Sequence, residues 1–204
     1  MLALTFDDGP DPCGTLDVLA ALESAGMHAT FFVLGERVAA HPWLLDRVLA
    51  AGHRVEIHGF AHLRHPAHPR RAVAEDLDAA LAELARRGVQ PRLWRTPNGD
   101  LAPWSAELAA ARELRLAGWT VDTNDWRGDR LERMLQVALA GLEAGAIVLA
   151  HDGIGPRARR RDCASTAALI APLVAAARER GIAVGPIDPA LTNLPTGNPK
   201  LGFG

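Results

Sequence analysis

Two histidines four residues apart, His58 and His62, are the best candidates for metal ligands in this sequence. Imidazole nitrogens and carboxylate oxygens are the usual ligands of a catalytic zinc-type ion, which keeps one coordination position open for water. Asp7 or Asp8 could supply the carboxylate if folding brings the two segments together. The H-x-x-x-H spacing alone is a weak signal, because solvated and capping histidines share it. Joined to adjacent carboxylates, it favours a metal site.

The adjacent carboxylates Asp7 and Asp8 do not easily bind the same ion. In an extended segment, successive side chains point to opposite faces. We therefore predict different roles for the two residues: one carboxylate is a metal ligand and the other is a catalytic base. The sequence D-D-G-P, Asp7–Pro10, is also favourable for a turn, which is the better interpretation when the motif is taken alone.

Short apolar segments alternate with segments of helical period along nearly the whole chain. The predicted strands are Met1–Thr5, Ala29–Leu34, Arg54–His58, Arg92–Thr96, Trp119–Thr123, Ala146–Ala150 and Ile182–Ile187. The predicted helices are Thr15–Ala25, Pro42–Ala51, Arg70–Arg87, Ser105–Ala117, Leu131–Ala144 and Ser165–Arg180. Continuous apolar strands alternating with helices are typical of an α/β fold with a parallel sheet. A barrel and an open doubly wound sheet both fit this pattern. Neither G-x-G-x-x-G nor a P-loop follows the first strand, which disfavours a nucleotide-binding open sheet.

Polar residues suited to metal binding or acid–base chemistry follow most of the predicted strands. They are Asp7 and Asp8 after the first strand, His58 and His62 after the third, Arg95 near the end of the fourth, Asp122 and Asp125 after the fifth, and His151 and Asp152 after the sixth. In parallel α/β folds the active site lies at the carboxyl ends of the strands. The residues alone therefore predict an enzyme with its site at this rim.

The composition of the 204-residue chain predicts one globular domain, since 49% of its residues are hydrophobic and 23% are charged. We expect this domain to span residues 1–188, followed by a loop-like tail over residues 189–204 that is rich in proline and glycine. The net charge of −2 gives no attraction to nucleic acid or anionic membranes. No apolar stretch reaches membrane-spanning length, so no membrane insertion is expected.

The two cysteines, Cys13 and Cys163, form no C-x-x-C pair and no zinc-finger spacing, which disfavours a structural thiolate zinc site. Each follows a candidate active-site segment, so the two could be near in space. Two unrelated small apolar residues are the favoured interpretation, and the spacing does not decide whether they pair.

The N-terminus has no basic segment followed by an apolar run, which predicts a cytoplasmic protein. A trimmed secreted or cell-wall protein would look the same.

Five motifs, in this order, resemble those of the polysaccharide deacetylase family, also called the NodB homology domain or carbohydrate esterase family 4. They are TFDDGP at Thr5–Pro10, HGFAH at His58–His62, RTPNG at Arg95–Gly99, DTNDW at Asp122–Trp126 and IVLAHD at Ile147–Asp152. Each motif is short, but the ordered set of five is highly specific. The resemblance spans Leu2 to about Gly185. It implies a distorted (β/α) barrel with about seven parallel strands.

The resemblance also implies roles for the residues that could bind and activate water. Asp8, His58 and His62 would bind one divalent metal ion. Zn²⁺ is the first expectation, with Co²⁺, Ni²⁺ and Mn²⁺ as alternatives. Asp7 would be the catalytic base, and Arg95 would hold its carboxylate.

Further roles implied by the resemblance concern the leaving group and the acetyl group. His151 would be the general acid, oriented by Asp125. The backbone N–H of Asn98 would stabilise the oxyanion. Trp126 and Leu149 would form the walls of the pocket for the acetyl methyl group, and a core position is the alternative for both.

The family resemblance implies a metal-dependent hydrolase that removes acetyl groups from an N-acetylated, or O-acetylated, carbohydrate. Two positions depart from the family pattern, Gly59 in place of a serine or threonine and Asn98 in place of an aromatic residue. These two departures affect the expected identity of the substrate more than they affect the expectation of metal binding. One alternative is a hydrolase of a small amide or cyclic imide with the same fold. Another is an inactive carbohydrate-binding module, which the complete set of catalytic side chains disfavours.

Overall fold

The computed structural model of the chain describes residues 1–190 and 195–196. Its frame is one parallel sheet of eight strands. The strands are β1 (Leu2–Asp7), β2 (Thr30–Leu34), β3 (Arg54–Gly59), β4 (Leu93–Trp94), β5 (Arg115–Leu116), β6 (Val121–Asp122), β7 (Ile147–His151) and β8 (Val184–Gly185). The predicted tail lies largely outside the described residues.

The lateral order of the strands is β5-β4-β3-β2-β1-β7-β6, and the sheet curls into a distorted (β/α) half-barrel. The expectation of a parallel barrel with about seven strands is confirmed. β8 is the eighth strand and pairs with the first residues of β1, while β2 pairs with the last residues of β1. β1 therefore has neighbours along its whole length.

Helices cover the outer face of the sheet. They are α1 (Thr15–Ala25), α2 (Gly35–Ala40), α3 (Pro42–Ala50), α4 (Arg70–Ala85), α5 (Ser105–Ala110), α6 (Leu131–Ala140) and α7 (Ala164–Glu179). α4 shows the pattern clearly, because Val73, Leu77 and Leu84 form its buried stripe. No helix among the described residues is long and apolar enough to cross a bilayer.

The core has two parts because side chains alternate along each strand. Leu4 and Phe6 of β1 belong to the large cluster between the sheet and the helices. Ala3 of β1 and Leu149 of β7 belong to a smaller cluster without helical residues, on the inner face of the curled sheet. Burying both faces of β1 and β7 explains why these strands are continuous apolar runs in the sequence.

Two segments differ from the elements predicted from the sequence. The helix predicted for Ser105–Ala117 is wrong in its second half, because α5 ends at Ala110 and Arg115–Leu116 forms β5. Leu116 pairs with Trp94 of β4, and Glu113 has a φ of 56° between the two elements. Pairing with the sheet overrides the helical propensity of this Ala- and Leu-rich stretch. In addition, residues 35–40 form α2, which the sequence did not indicate.

Candidate metal centre and catalytic site

A cavity of about 290 Å³ lies at the carboxyl ends of the strands. Eight of the ten site residues predicted from the sequence line it: Asp7, Asp8, His58, His62, Asn98, Trp126, Leu149 and His151. The other two, Arg95 and Asp125, are buried behind this lining and bond to residues within it. The topology therefore brings the whole predicted set together.

The end of β1 delivers two carboxylates to this cavity instead of one. Asp7 is the last residue of the strand, whereas Asp8 has a φ of 72°, in the left-handed region. In a fully extended segment the two side chains would diverge. The turn at Asp8 brings both within reach of one histidine, since His58 Nε2 lies 3.5 Å from Asp8 Oδ1 and 3.9 Å from Asp7 Oδ2.

Three side chains form a candidate metal centre. Ligand atoms of Asp8, His58 and His62 all lie within 4.8 Å of one another. His62 Nε2 lies 3.4 Å from Asp8 Oδ1, the same oxygen that His58 approaches. Asp8 Oδ1 is buried and has no hydrogen-bond partner among the residues that the structure describes. A buried oxygen of this kind costs free energy unless a cation or donor satisfies it, so the donor set fits a divalent ion.

His58 is held in the form that a metal requires. Its Nδ1 lies 2.8 Å from the carbonyl oxygen of Arg95, so Nδ1–H donates to that oxygen and Nε2 keeps its lone pair on the side of Asp8. Burial lowers the pKa of His58 to about 3, and the neighbouring His62 acts in the same direction. The neutral ring is the metal-binding form. This contact could not be predicted from residue types, because the acceptor is a backbone carbonyl.

Asp7 is paired with a buried arginine. Arg95 Nη1 donates to Asp7 Oδ1 at 2.7 Å and to Thr5 Oγ1 at 2.8 Å, and its guanidinium lies 4.0 Å from the centre of the Phe32 ring. Burial raises the pKa of Asp7, while the charges of Arg95 and His151 oppose that rise. The geometry leaves Asp7 Oδ2 on the side of the cavity, where it could accept a proton.

At the end of the adjacent strand β7, His151 forms an ion pair with Asp125. His151 Nδ1 lies 2.7 Å from Asp125 Oδ1, and the backbone N–H of His151 donates to Asp125 Oδ2 at 2.9 Å. Burial alone would lower the pKa of His151, but the Asp125 carboxylate reverses this and raises it to about 9. Burial opposes ionisation of Asp125 as well, yet His151 and Arg160 lower its pKa to about 2. The pair is therefore imidazolium and carboxylate at neutral pH.

The remaining predicted wall residues also reach the cavity. Asn98 has a φ of 60° in the short 3-10 turn Pro97–Gly99. Leu149 lines the cavity and also belongs to the inner core. The two positions considered for it from the sequence, a pocket wall and a core residue, are therefore compatible. Trp126 is half-buried, and the Arg127 guanidinium lies 5.0 Å from the centre of its ring.

Several residues around the site were not predicted from the sequence. Arg160 donates to Asp125 Oδ2 at 2.9 Å, and Thr166 Oγ1 donates to the same oxygen at 2.7 Å. Arg64 forms an ion pair with Asp100, and both line the cavity. Arg160 lies in the stretch R-A-R-R-R, where nothing in the sequence distinguishes it from its exposed neighbours.

Three other residues considered from the sequence, Asp152, Cys13 and Cys163, are not part of the cavity lining. Asp152 follows β7 as predicted, but its Oδ2 accepts a hydrogen bond from Thr15 Oγ1 at 2.5 Å, and burial raises its pKa to about 7. Cys13 is exposed and Cys163 is buried, and both are free thiols. A side chain at Gly14 would meet Cys163 Sγ, so the segments carrying the two cysteines are in contact.

Comparison with known proteins is consistent with this geometry. A sequence profile of the family described as polysaccharide deacetylase matches residues 1–119. The chain is 36% identical over 197 residues to a chitooligosaccharide deacetylase from Bradyrhizobium sp., covering 90% of this chain and 87% of that protein. It is 32% identical over 161 residues to a peptidoglycan-N-acetylglucosamine deacetylase from Bacillus cereus, covering 78% and 76%.

Solved structures give the same result for the fold. A family 4 carbohydrate esterase from Streptomyces lividans, in complex with acetate, superimposes with a TM-score of 0.84 at 26% identity and 97% coverage of both chains. Peptidoglycan deacetylase PdaC from Bacillus subtilis superimposes with a TM-score of 0.78 at 27% identity, covering 92% of this chain and 87% of that one.

Proposed function

This chain belongs to the polysaccharide deacetylase family, and from that premise we propose that it removes the acetyl group from N-acetylated sugars with one divalent metal ion. It is a carbohydrate deacetylase, a hydrolase of carbon–nitrogen bonds other than peptide bonds. In this proposal residues 1–188 form the catalytic domain. The single observation that carries the proposal is that the Asp8, His58 and His62 cluster shares one cavity with Asp7, which is paired with Arg95, and with His151, which is paired with Asp125.

Asp8, His58 and His62 would hold the metal. The unpartnered Asp8 oxygen and the neutral, oriented His58 ring support this assignment. Two imidazoles and one carboxylate suit Zn²⁺ first, with Co²⁺, Ni²⁺ and Mn²⁺ as alternatives. When bound, a divalent ion polarises the acetyl carbonyl and lowers the pKa of a water molecule.

Asp7 would act as the base. Its Oδ2 would accept a proton from the attacking water, while Arg95 holds Oδ1 and its charge opposes the rise in the pKa of Asp7 that burial causes. The arginine is itself fixed by Thr5 and packed against Phe32, so the direction of the carboxylate is set before substrate binds. This division of roles follows from Asp7 having an arginine partner and Asp8 having none.

His151 would act as the acid. An amide nitrogen leaves as an amine only if it gains a proton as the carbon–nitrogen bond breaks. His151 can donate from Nε2, because Nδ1 is engaged with Asp125. Because the pKa of His151 is raised to about 9, its ring is protonated at neutral pH and can supply this proton. An acetate ester with a good leaving group would need this proton far less.

The cavity would accept the acetyl group and one sugar residue. Its volume of about 290 Å³ is near the lower end of the range for small-ligand pockets. Leu149 and Trp126 are the apolar walls available to the acetyl methyl group, and the backbone N–H of Asn98 is our candidate for the oxyanion donor. With asparagine at position 98, the groove lacks an aromatic wall there.

Acetate release from N-acetylglucosamine oligomers tests the proposal directly. We expect turnover by zinc-loaded protein, loss after chelation and recovery on adding zinc. His62→Ala should lose both metal and turnover, whereas the matched control His68→Ala, at an exposed histidine outside the cavity lining, should keep both. An O-acetylated sugar in the same assay distinguishes amide from ester preference. Acetate release that is insensitive to chelation, or its absence from every acetylated sugar, would overturn the proposal.

A further inference from the structure

The two terminal nitrogens of Arg160 bond to several groups behind the proposed general acid. Arg160 lies in the segment between β7 and α7, and its side chain is only 7% exposed. It donates hydrogen bonds to four acceptors: Asp125 Oδ2 at 2.9 Å, Thr166 Oγ1 at 2.5 Å, the carbonyl oxygen of His151 at 2.9 Å and the carbonyl oxygen of Gly153 at 3.1 Å. One guanidinium thus holds both the carboxylate and the backbone of the residue that carries the acid.

The hydrogen bonds to Asp125 are divided unequally between its two oxygens. Within the described part of the chain, Oδ1 accepts a hydrogen bond from the His151 ring alone. Oδ2 accepts from the His151 backbone, from Arg160 and from Thr166. Donors on Oδ2 stabilise the carboxylate and make it a weaker base. The proton between Asp125 and His151 is therefore held by the ring nitrogen Nδ1.

The position of this proton matters because the ring has two nitrogens and only one faces the substrate. With Nδ1–H fixed, the proton that leaves during the reaction is the one on Nε2. After His151 has given it up, the ring is neutral and no longer offsets the charge of Asp125. A buried carboxylate without a cation would be costly, and Arg160 supplies that cation throughout the cycle.

We propose that Arg160 is a positioning residue for the acid, which keeps Asp125 ionised and His151 in its Nδ1–H form so that the proton is delivered from Nε2. In that step the leaving nitrogen receives the Nε2 proton, while the carbon–nitrogen bond breaks with its electron pair going to nitrogen. Thr166 assists through the same carboxylate oxygen. This inference rests on the proposed function, since it assigns to Arg160 a role that acts through Asp125 on the general acid of that reaction.

The test compares Arg160→Gln with Arg161→Gln in zinc-loaded full-length protein. Arg161 is exposed, and its side chain forms no hydrogen bond or ion pair with the described residues, so it is a matched control. For Arg160→Gln we expect kcat on an N-acetylated sugar to fall about 10- to 100-fold. We expect little change in KM, in zinc content or in kcat on an activated aryl acetate. Arg161→Gln should match the parent on both substrates.

Nitrogen-15 NMR of the histidine rings gives a second readout that does not depend on turnover. In the parent protein, neutral His151 should carry its proton on Nδ1, and Arg160→Gln should populate the Nε2–H form. Equal losses on amide and ester, or an unchanged tautomer, would overturn the inference. If Arg160→Gln does not fold, Thr166→Val should give the same selective loss at smaller size. An inactive parent would refute the proposed function, and the tautomer measurement would still decide the role of Arg160.

Discussion

The two sides of the cavity differ in how completely protein atoms satisfy them. On the metal side, Asp8 Oδ1 is buried without a hydrogen-bond partner, and Asp8 and His62 both have positive φ angles, 72° and 54°. On the acid side, both oxygens of Asp125 accept hydrogen bonds from His151 and its neighbours. Among the described residues, the metal side therefore has a buried carboxylate oxygen without a donor, whereas both carboxylate oxygens of Asp125 on the acid side have one.

The difference indicates which side depends on a ligand. A non-glycine residue in the left-handed region costs about 1–3 kcal/mol and persists only where its surroundings hold it in place. A buried carboxylate oxygen without a partner adds to that cost. A metal ion would relieve the second cost, whereas the acid side is already organised. Perturbing the metal should therefore affect one side and leave the other unchanged.

The largest effects should come from exchanging the two adjacent carboxylates for amides. Asp8→Asn should lose metal and nearly all turnover, because it removes a charged ligand. Asp7→Asn should keep the metal and lose about 10²- to 10⁴-fold in kcat, because it removes only the base. Metal content and rate are measured on the same preparations. Metal loss in Asp7→Asn, with retention in Asp8→Asn, would show that the two roles are reversed.

A smaller and selective effect is expected for His151→Ala. Its kcat on an N-acetylated sugar should fall about 10²- to 10⁴-fold, since an amine leaving group needs the proton. An activated aryl acetate should be hydrolysed at close to the parent rate, and metal content should not change. Equal losses on the two substrates would mean that His151 acts on the oxyanion or on the structure instead.

The pH dependence of the acid side can be measured in metal-free protein by NMR. The pKa of His151 is raised to about 9, so its ring should stay protonated through neutral pH and titrate well above the ordinary histidine range. Because the folded pKa is raised, the ion pair stabilises the fold below the unfolded pKa of about 6.5 and loses that contribution as pH rises through 9. Asp125→Asn should move the titration to lower pH. An unshifted titration would refute the dominance of Asp125.

The smallest expected effect is on stability. Zinc should raise the Tm of the parent by ligand binding to the folded state, with about 2.7 kcal/mol gained at a free concentration of 100 times Kd. The gain should vanish in His62→Ala and persist in Thr166→Val, which touches only the acid side. Thermal melts with and without zinc measure it. A zinc response that Thr166→Val abolishes would show that the two sides are coupled.

Sequence reasoning predicted the rim of the sheet well, because strand ends in a parallel sheet meet at one edge. β1 and β7 are mostly apolar and β3 alternates apolar with polar residues, and each strand carries at or near its end a polar residue that lines the cavity, Asp7, His58 and His151. The boundary between α5 and β5 was not predictable, since a distant strand decides it. Nor could the pattern R-A-R-R-R single out Arg160, whose four acceptors are chosen by folding.

β8, which pairs with the first residues of β1, has a consequence for the order of events during synthesis. The partner of Leu2 is Val184, and the partner of Asp7 across the sheet is His151. A ribosome adding about 5–20 residues per second completes β8 on the order of 10–40 seconds after β1. During that interval the nascent chain holds Asp7, Asp8 and both metal-site histidines before it holds the acid. β1 is therefore made before the other strands of the described sheet and is among the last of them to gain all its neighbours.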